Sequence, residues 1–339
     1  MNDPRPAYMP DPDTASFIRD RWGAISSVDK LMGDASAREY FRVRAEKGTS
    51  ILCRDAALRG KPLEDYHYAA VHRLFTKQGI PMADVYRMDN ATGVLLLEDL
   101  GDLLLEEARG TMSVAEEESV YRRIIDILVR IQSVPDDGSI PFGYRFDSAR
   151  LMFEFDYFLE HMLNGYLGAP LSGTDVDALR ADFTRIASIL DRGDLFVLNH
   201  RDYQSRNIML AGDAPYVIDF QDARPGLPQY DLVSLLRDPY AVLDPGLAGH
   251  LTSYYFETAR EKGIHRMGRD EFDRFFDIMA FQRVVKALGT YGFQSSKGGK
   301  KYFAEYIPPA TGYVRALAAR RDELKRAGVL IDNAFGGAR

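Results

Sequence analysis

The sequence predicts an α+β protein with two lobes, a small lobe built on an antiparallel sheet and a larger, mainly helical lobe. At 339 residues, the chain exceeds the usual size of one domain. Short β-rich runs separated by turns come first, and helical periodicity dominates afterwards. The change falls where an apolar strand, Val94 to Leu97, runs into an extended acidic linker. We therefore predict an N-lobe over residues 1–98 and a C-lobe over residues 99–339.

Composition and charge narrow the class of protein. The hydrophobic share of 46% is ordinary for a globular protein with a buried core. The 43 basic and 50 acidic residues give a net charge of −7, which argues against broad binding to nucleic acid or to a membrane surface. The single cysteine, Cys53, excludes an intrachain disulfide and a zinc–cysteine site. Because the sequence has no apolar signal core and no run of about 18 apolar residues, we expect a cytoplasmic protein. We also expect it to be a monomer or a weak homodimer.

The N-lobe is predicted to hold two helices and five strands. One helix begins at Asp13 and continues through Trp22, and another runs from Leu63 to Gln78 before Pro81. The remaining runs are rich in β-branched and aromatic residues and are bounded by turns, as strands are. The predicted strands lie at 25–32, 40–43, 50–53, 85–86 and 94–97.

The C-lobe is predicted to be helical on both sides of one short β-rich segment. Ser113, with Glu116 three residues later, forms a capping-box pattern that opens a helix to about Gln132. Apolar residues recur at helical spacing in the segments that follow. The further predicted helices lie at 148–167, 175–191, 230–238, 244–262, 270–291 and 303–327.

The β-rich segment from Val197 to Asp222 carries the strongest chemical signal. Asp202 can accept a proton from a hydroxyl, and Asn207 and Asp219 supply hard oxygen ligands for magnesium on a nucleoside triphosphate. Their order matches the kinase catalytic loop H-x-D-x-x-x-x-N followed by a metal-binding Asp-Phe pair. Any one of these residues alone is typical of a polar turn, but the ordered set favours catalysis. We therefore predict a protein-kinase-like fold that uses ATP and Mg²⁺.

Two features of the N-lobe are candidates for contact with nucleotide phosphates. The turn at 33–38 contains Ser36 and lies between two predicted strands, where backbone N–H groups can face phosphates; an ordinary hairpin turn is the alternative. A kinase usually places a lysine on the third strand, and Arg54 stands at that position here. Arginine does not simply replace lysine, so Arg38 and Arg42 are rivals for the role, and a solvent-facing salt bridge is the alternative for Arg54.

The linker that follows the last strand of the N-lobe is the predicted hinge. Glu98 and Leu100 flank Asp99 in this extended segment, and an adenine ring is expected to bond to their backbone while apolar side chains cover its faces. Because backbone groups make such contacts, the side chains identify the site weakly. The sequence therefore supports the lobe boundary better than it supports the adenine contact.

The catalytic segment resembles the aminoglycoside phosphotransferase and choline kinase-like superfamily. The resemblance rests on H-R-D-Y-x-S-R-N at 200–207, I-D-F-Q-D-A-R at 218–224 and Y-D-L-V-S-L-L-R-D at 230–238. Within this superfamily the chain is most similar to the bacterial anomeric kinases of N-acetylmuramate and N-acetylglucosamine, which act in peptidoglycan recycling. The stretches that carry this narrower resemblance lie at 33–43, 95–102 and 281–289 and in the helix that begins at Tyr302.

The resemblance implies transfer of the γ-phosphoryl group of ATP to a sugar hydroxyl, with the anomeric hydroxyl of these amino sugars as the expected acceptor. It implies that Asp202 is the base on that hydroxyl and that Asn207 and Asp219 bind the metal. Asp222 lies in the matched segment and is expected to face the metals or the sugar.

Three further positions are candidates for the acceptor pocket, because there the chain differs from or aligns with its relatives. The cell-wall sugar kinases have His where Gln204 stands, and a Trp-Tyr pair near His161 and Met162, after the turn that matches Glu154. Aminoglycoside kinases typically have Gly in place of Arg201. We therefore expect Glu154, Arg201 and Gln204 to contact the substrate.

Other interpretations stay open at this point. An aminoglycoside or a choline-like alcohol is the alternative acceptor, and Glu154, Asp156 and Glu160 are the acidic groups that such a cation needs. A nucleotide-binding pseudokinase is a further alternative, suggested by the absent third-strand lysine. Arg283 and Lys286 lie three residues apart on one helix face, which is either solvated or suited to an anion.

Overall fold

Five antiparallel strands form the sheet of the N-lobe. The structure, a computed structural model, describes residues 9–31, 38–169 and 171–336. The strands are β1 (Ile25–Lys30), β2 (Glu39–Ala45), β3 (Gly48–Arg54), β4 (Val85–Asp89) and β5 (Val94–Glu98). Their order in the sheet is β1-β2-β3-β5-β4. The predicted sheet lobe is confirmed, although the part of the first predicted strand at Met32 lies outside the described residues.

Each face of this sheet is covered by one helix, since alternate side chains of a strand point to opposite faces. Helix α1 (Pro12–Trp22) packs Ile18 against a small cluster that includes Phe41 and Leu52. On the other face, Cys53 and Leu95 join the main core together with helix α2 (His67–Lys77). Cys53 is buried. The helix predicted at 63–78 is shorter than expected, because a separate 3-10 turn occupies Leu63–Asp65.

Helices dominate the chain after residue 104. Ser113 and Glu116 form the predicted capping box at the start of the long helix that follows them. The helix predicted at 148–167 changes into a π-helical segment at Leu159–Tyr166. The helices are α3 (Leu105–Ala108), α4 (Val114–Gln132), α5 (Ser148–Phe158), α6 (Gly173–Leu190), α7 (Gln229–Leu236), α8 (Pro245–Glu261), α9 (Arg269–Ser296), α10 (Ile307–Arg320) and α11 (Asp322–Gly336).

Helix α9 is the central element of the C-lobe. Buried residues lie on all sides of it, and it packs against α5, α7, α10 and the π-helical segment. A helix that is apolar on every side belongs in the interior. Since α7 and α9 lie together, side chains of the middle of α9 reach the segment between residues 197 and 222. That segment contains the short strands β6 (Val197–Asn199), β7 (Ile208–Ala211) and β8 (Ala214–Val217), and β9 (Arg224–Gly226) follows it and pairs with β6.

The prediction of a single helix at 303–327 was wrong. Arg321 takes an extended conformation between α10 and α11, and its guanidinium donates to the buried carboxylate of Asp277 at 2.7 Å. The two helices then fold back on each other, and Gly328 lies so close to Ala318 that an added Cβ would stand 2.2 Å from its methyl group. Apolar periodicity on both sides of Arg321 hid this break, because both helices bury one face.

In the described part of the chain, no helix is long and apolar enough to cross a membrane. Residue 98 ends β5, and the chain then leaves the sheet. Where the two lobes divide as folding units stays a prediction, as do the cytoplasmic location and the oligomeric state.

Candidate active site

The polar loop after β6 is held in place by a buried carboxylate. Asp231, on α7, accepts hydrogen bonds from the backbone N–H groups of His200 and Arg201. Arg201 has a positive φ of 80°, a backbone conformation that residues other than glycine rarely adopt. The bond to Asp231 fixes this strained turn, and the turn directs the next residue, Asp202, into the cleft. Asp231 therefore positions the loop.

His200 is buried and supports the same loop from below. Its Nε2 lies 3.0 Å from the carbonyl oxygen of Ile218, and its Nδ1 lies 3.3 Å from the backbone nitrogen of Asp202. These partners require a hydrogen on Nε2 and a lone pair on Nδ1, so the ring is neutral. Burial lowers the pKa of His200 to about 4. His200 thus links the strand before Asp219 to the backbone of Asp202.

Asp202 lies at the meeting point of two helices and the cleft. Arg283, on α9, donates to its Oδ1 at 2.9 Å and, through Nε, to the hydroxyl of Ser234 at 3.0 Å. Burial opposes ionisation of Asp202, but the positive charges of Lys286 and Arg283 outweigh it and hold its pKa below the ordinary value. Asp202 is therefore an ionised acceptor at neutral pH, with one oxygen fixed and its side chain 40% exposed to the cleft.

Asn207 and Asp219 are brought side by side. The backbone N–H of Ile218 donates to the carbonyl of Asn207 at 3.0 Å, and the side-chain amide of Asn207 donates to the carbonyl of Asp202 at 2.9 Å. The latter bond orients the side-chain oxygen of Asn207 as the remaining acceptor. Asp219, with a positive φ of 62°, presents a carboxylate that is 41% exposed.

These donors fit a magnesium ion. Burial, together with the negative charges of Asp202 and Asp222, raises the pKa of Asp219. A bound cation would relieve the repulsion between these carboxylates. Within the described residues, no cluster of three or more His, Cys, Asp or Glu side chains suits a metal. Magnesium keeps several waters and is usually bound by one or two protein oxygens plus substrate phosphates, and Asn207 and Asp219 would supply those protein oxygens.

Ser205 and Arg206 anchor the loop between Asp202 and Asn207. Asp238 accepts from both the backbone N–H and the hydroxyl of Ser205, at 2.9 and 2.7 Å. Arg206 donates to Glu106 and to the hydroxyl of Tyr306, and it stacks on a neighbouring aromatic ring. Arg206 therefore fixes the loop.

The N-lobe places Arg38 beside Asp219, the predicted metal ligand. Its Nε donates to Asp55 at 2.7 Å, and its Nη1 lies 3.8 Å from an oxygen of Asp219. Arg54, the predicted phosphate contact, lies elsewhere: its side chain is 47% exposed and forms an ion pair with Glu39. Ser36, the other predicted contact, lies outside the described residues.

The predicted hinge is tied to the sheet by Arg42. Its guanidinium donates to both oxygens of Asp99, at 2.8 and 3.0 Å, and to the carbonyl of Gly101 at 2.9 Å. Glu98 ends β5 and donates its backbone N–H to a neighbouring carbonyl, and Leu100 is buried. Arg42 is thus committed to the hinge, and the adenine contact at Glu98 and Leu100 stays a prediction.

Two adjoining cavities open on Asp202, and both have Lys286 and Thr290 in their walls. One, of about 240 Å³, also contacts Glu154, Arg201, Asp219 and Asp222. The other, of about 210 Å³, contacts Gln204, Arg237 and Arg283. All four predicted acceptor residues therefore lie in the walls of these cavities.

Glu154 is the centre of an ionic cluster rather than an open carboxylate. It is buried, and it accepts from Arg201 at 3.1 Å and from Gln282 at 2.9 Å, with the ammonium group of Lys286 at 3.7 Å. Arg283 and Lys286 thus turn inward, and a solvated face for them is wrong. The sequence spacing shows that Arg283 and Lys286 share a helix face. It does not show what that face contacts, so the bond from Arg283 to Asp202 could not be predicted.

Comparison with known proteins identifies the family. The model of the phosphotransferase enzyme family matches residues 28–267. An N-acetylmuramate/N-acetylglucosamine kinase from Pseudomonas putida is 30% identical over 95% of this chain and 93% of its own length. An enzyme of the same name from Neisseria meningitidis serogroup B is 31% identical, with 86% and 85% covered.

Solved structures show the same fold at low identity. Choline kinase LicA from Streptococcus pneumoniae superimposes with a TM-score of 0.60 at 14% identity, over 91% of this chain and 98% of that one. A spectinomycin phosphotransferase in complex with ADP and spectinomycin gives 0.60 at 12% identity, over 99% of both chains. The kinase-like fold and the predicted resemblance are thereby confirmed. The chain belongs to the phosphotransferase enzyme family, and it is a kinase that phosphorylates an alcohol group.

Proposed function

We propose that this protein transfers the γ-phosphoryl group of ATP, with Mg²⁺, to the anomeric hydroxyl of N-acetylmuramate or N-acetylglucosamine. The observation that carries the proposal is the position of Asp202, an ionised carboxylate whose partly exposed side chain faces two cavities with both basic and acidic side chains in their walls. The names of the curated relatives support an amino sugar as the acceptor. The ADP-bound neighbour supports ATP as the donor.

The three carboxylates that sequence analysis offered to a cationic acceptor lie close to partners within the chain. Of the three acidic residues that a cationic acceptor would need, Glu154 is buried and satisfied by its own partners. Asp156 forms an ion pair with Arg180 at 3.0 Å, and Glu160 is 66% exposed and lies 3.8 Å from His161. Because the cavity walls also include Asp202, Asp219 and Asp222 beside the cations, the preference for a sugar rests on the names of the curated relatives.

The residues of the chain carry out three tasks in this reaction. Asp202 accepts the proton of the sugar hydroxyl. The oxygen of that hydroxyl forms a bond to the γ-phosphorus, while the bond between the γ-phosphorus and the β-γ bridging oxygen breaks and ADP leaves. Asn207 and Asp219 would hold Mg²⁺, which would neutralise charge on the phosphates. Arg283 fixes one oxygen of Asp202, so that the carboxylate keeps a single orientation toward the hydroxyl.

The test is an acceptor panel with product analysis. We expect ADP release with N-acetylmuramate and N-acetylglucosamine, and ³¹P NMR should show a sugar 1-phosphate. The methyl glycoside of N-acetylglucosamine, whose anomeric oxygen is blocked, should not react. Turnover of that glycoside would contradict the anomeric assignment, and turnover of kanamycin or choline alone would contradict the sugar.

A matched pair of variants tests the base. Asp202→Asn should abolish turnover while nucleotide binding persists, because the amide cannot accept the proton. Asp156→Asn, an exposed carboxylate on α5 that faces Arg180, is the control and should keep its activity. Turnover by Asp202→Asn near the wild-type rate would remove Asp202 from the base role.

A further inference from the structure

The strand register shows why the usual lysine position is not used in this chain. In the β2–β3 pair, Glu39 lies opposite Arg54 and Tyr40 lies opposite Cys53. Arg54 therefore points to the same face of the sheet as Leu52. Helix α1 covers that face, which lies away from the cleft. Its ion pair with Glu39 on that face is exposed.

The next residue on each strand points the other way, into the cleft. Asp55 follows Arg54, and Arg38 precedes Glu39, so the two face each other where the strands leave the sheet. Their ion pair is 2.7 Å long, and the side chains are only 7% and 13% exposed. Asp55 is itself fixed, because it accepts from the hydroxyl of Tyr66 at 2.6 Å and from the backbone of Ala57 at 2.8 Å. Arg38 is thus held by a rigid carboxylate.

Helix α2 supplies an aromatic support here instead of the glutamate that a kinase usually has. Its first turn contains no acidic residue. The ring centroid of Tyr68 lies 5.7 Å from the guanidinium carbon of Arg38 and 4.8 Å from the ring centroid of Phe220. Because Phe220 follows Asp219, the aromatic pair ties the position of Arg38 to that of the metal-binding strand.

We propose that Arg38 binds the phosphates of the nucleotide, in place of a third-strand lysine, and that Asp55 positions it. Arg38 lies 3.8 Å from Asp219, the carboxylate that would bind the metal ion next to the phosphates. A guanidinium group has five N–H donors in a planar fork, so it can hold Asp55 and contact phosphate oxygens at once. The inference rests on the proposed use of ATP, but not on the identity of the acceptor.

Nucleotide binding without acceptor tests this assignment. By calorimetry with Mg²⁺ present, Arg38→Ala should raise the dissociation constant of ADP about tenfold or more. Binding of adenosine, which has no phosphate, should change little. Arg44→Ala is the matched control, since Arg44 lies on β2 but is exposed and pairs with Asp29. Because no sugar is added, failure of the acceptor panel would leave this result readable.

Three outcomes would overturn the assignment. One is an ADP affinity of Arg38→Ala that is weakened by less than about tenfold, and another is an equal loss for ADP and adenosine. The third is loss of ADP binding in Arg54→Ala without loss in Arg38→Ala. Should Arg38→Ala not fold, the double variant Arg38→Gln with Asp55→Asn keeps a neutral hydrogen-bonded pair, and the same threshold applies to it.

Discussion

The bond between Arg283 and Asp202 leads to a prediction about the pH dependence of catalysis. Arg283→Met removes the guanidinium and fills its buried site with a side chain of similar length. Asp202 then loses the donor at 2.9 Å, while Lys286, the largest favourable charge, remains. We therefore expect the pKa of Asp202 to rise but to stay below neutrality. The acid limb of kcat/KM should move to higher pH.

The size of the effect follows from the exposure of the pair. A hydrogen bond between charged groups contributes about 1.5–3 kcal/mol. Because the side chain of Asp202 is 40% exposed, solvent screening reduces its electrostatic share, and we expect the lower part of that range. Loss of about 1.5–2 kcal/mol from the transition state corresponds to a roughly 10- to 30-fold lower kcat/KM at neutral pH.

The assay is a pH profile of kcat/KM, with nucleotide affinity measured separately. Arg274→Met is the control: Arg274 lies on α9 and is ion-paired with Glu323, but it is 40% exposed and distant from the cleft side chains. A lower rate with an unmoved acid limb would mean that Arg283 supports the fold only. An unchanged rate and limb would refute its positioning role altogether.

Three further predictions concern stability, measured by urea unfolding. The pKa of His200 lies at about 4 in the folded state and near 6.5 when exposed, so stability should fall by about 3 kcal/mol as pH drops from 6.5 to 4. The unfolding free energy of His200→Gln should depend less on pH between 6.5 and 4. The same pH dependence in the variant and the wild type would contradict this role of His200. At Arg201, where φ is 80°, a Gly variant should be more stable than an Ala variant by about 1 kcal/mol, and the reverse order would show that the turn is not strained. Gly292→Ala would place a methyl group 2.6 Å from the carbonyl oxygen of His161 and should cost about 1–3 kcal/mol. Gly249→Ala, whose methyl meets no atom within 4 Å, is the control and should cost nothing.

The parts of the site that are local in sequence could be predicted from it. Asp202 and Asn207 lie on one loop, and Asp219 ends the strand segment that returns beside them, so their spacing alone indicates that they meet. The capping box at Ser113 and the buried Cys53 were predictable for the same reason. Each depends on neighbours a few residues away and not on how the lobes are arranged.

The residues that the sequence did not identify act across long distances in the chain. Arg283 reaches Asp202 only because α9 passes behind the catalytic loop, and a helical period does not show which face meets the cleft. Arg54 was chosen by its position on the third strand, whereas the direction of its side chain depends on the register with β2. A shift of one residue reverses the face of a strand side chain. Asp55 was missed for the same reason, since it gains a role only when Arg38 lies opposite it.

The positive side chains of the cleft likewise come from elements that are distant in sequence. Phosphoryl transfer leaves little covalent chemistry to the protein and requires positive charge around the transferring group. The chain draws that charge from separate elements, with Arg38 from the N-lobe sheet and Arg283 and Lys286 from α9. Each cation is held by a carboxylate that is itself fixed, which reduces the cost of burying it. Because these cations come from elements far apart in sequence, only the tertiary fold brings the positive charge together, and the loop sequence alone indicates only the candidate base and the candidate metal ligands.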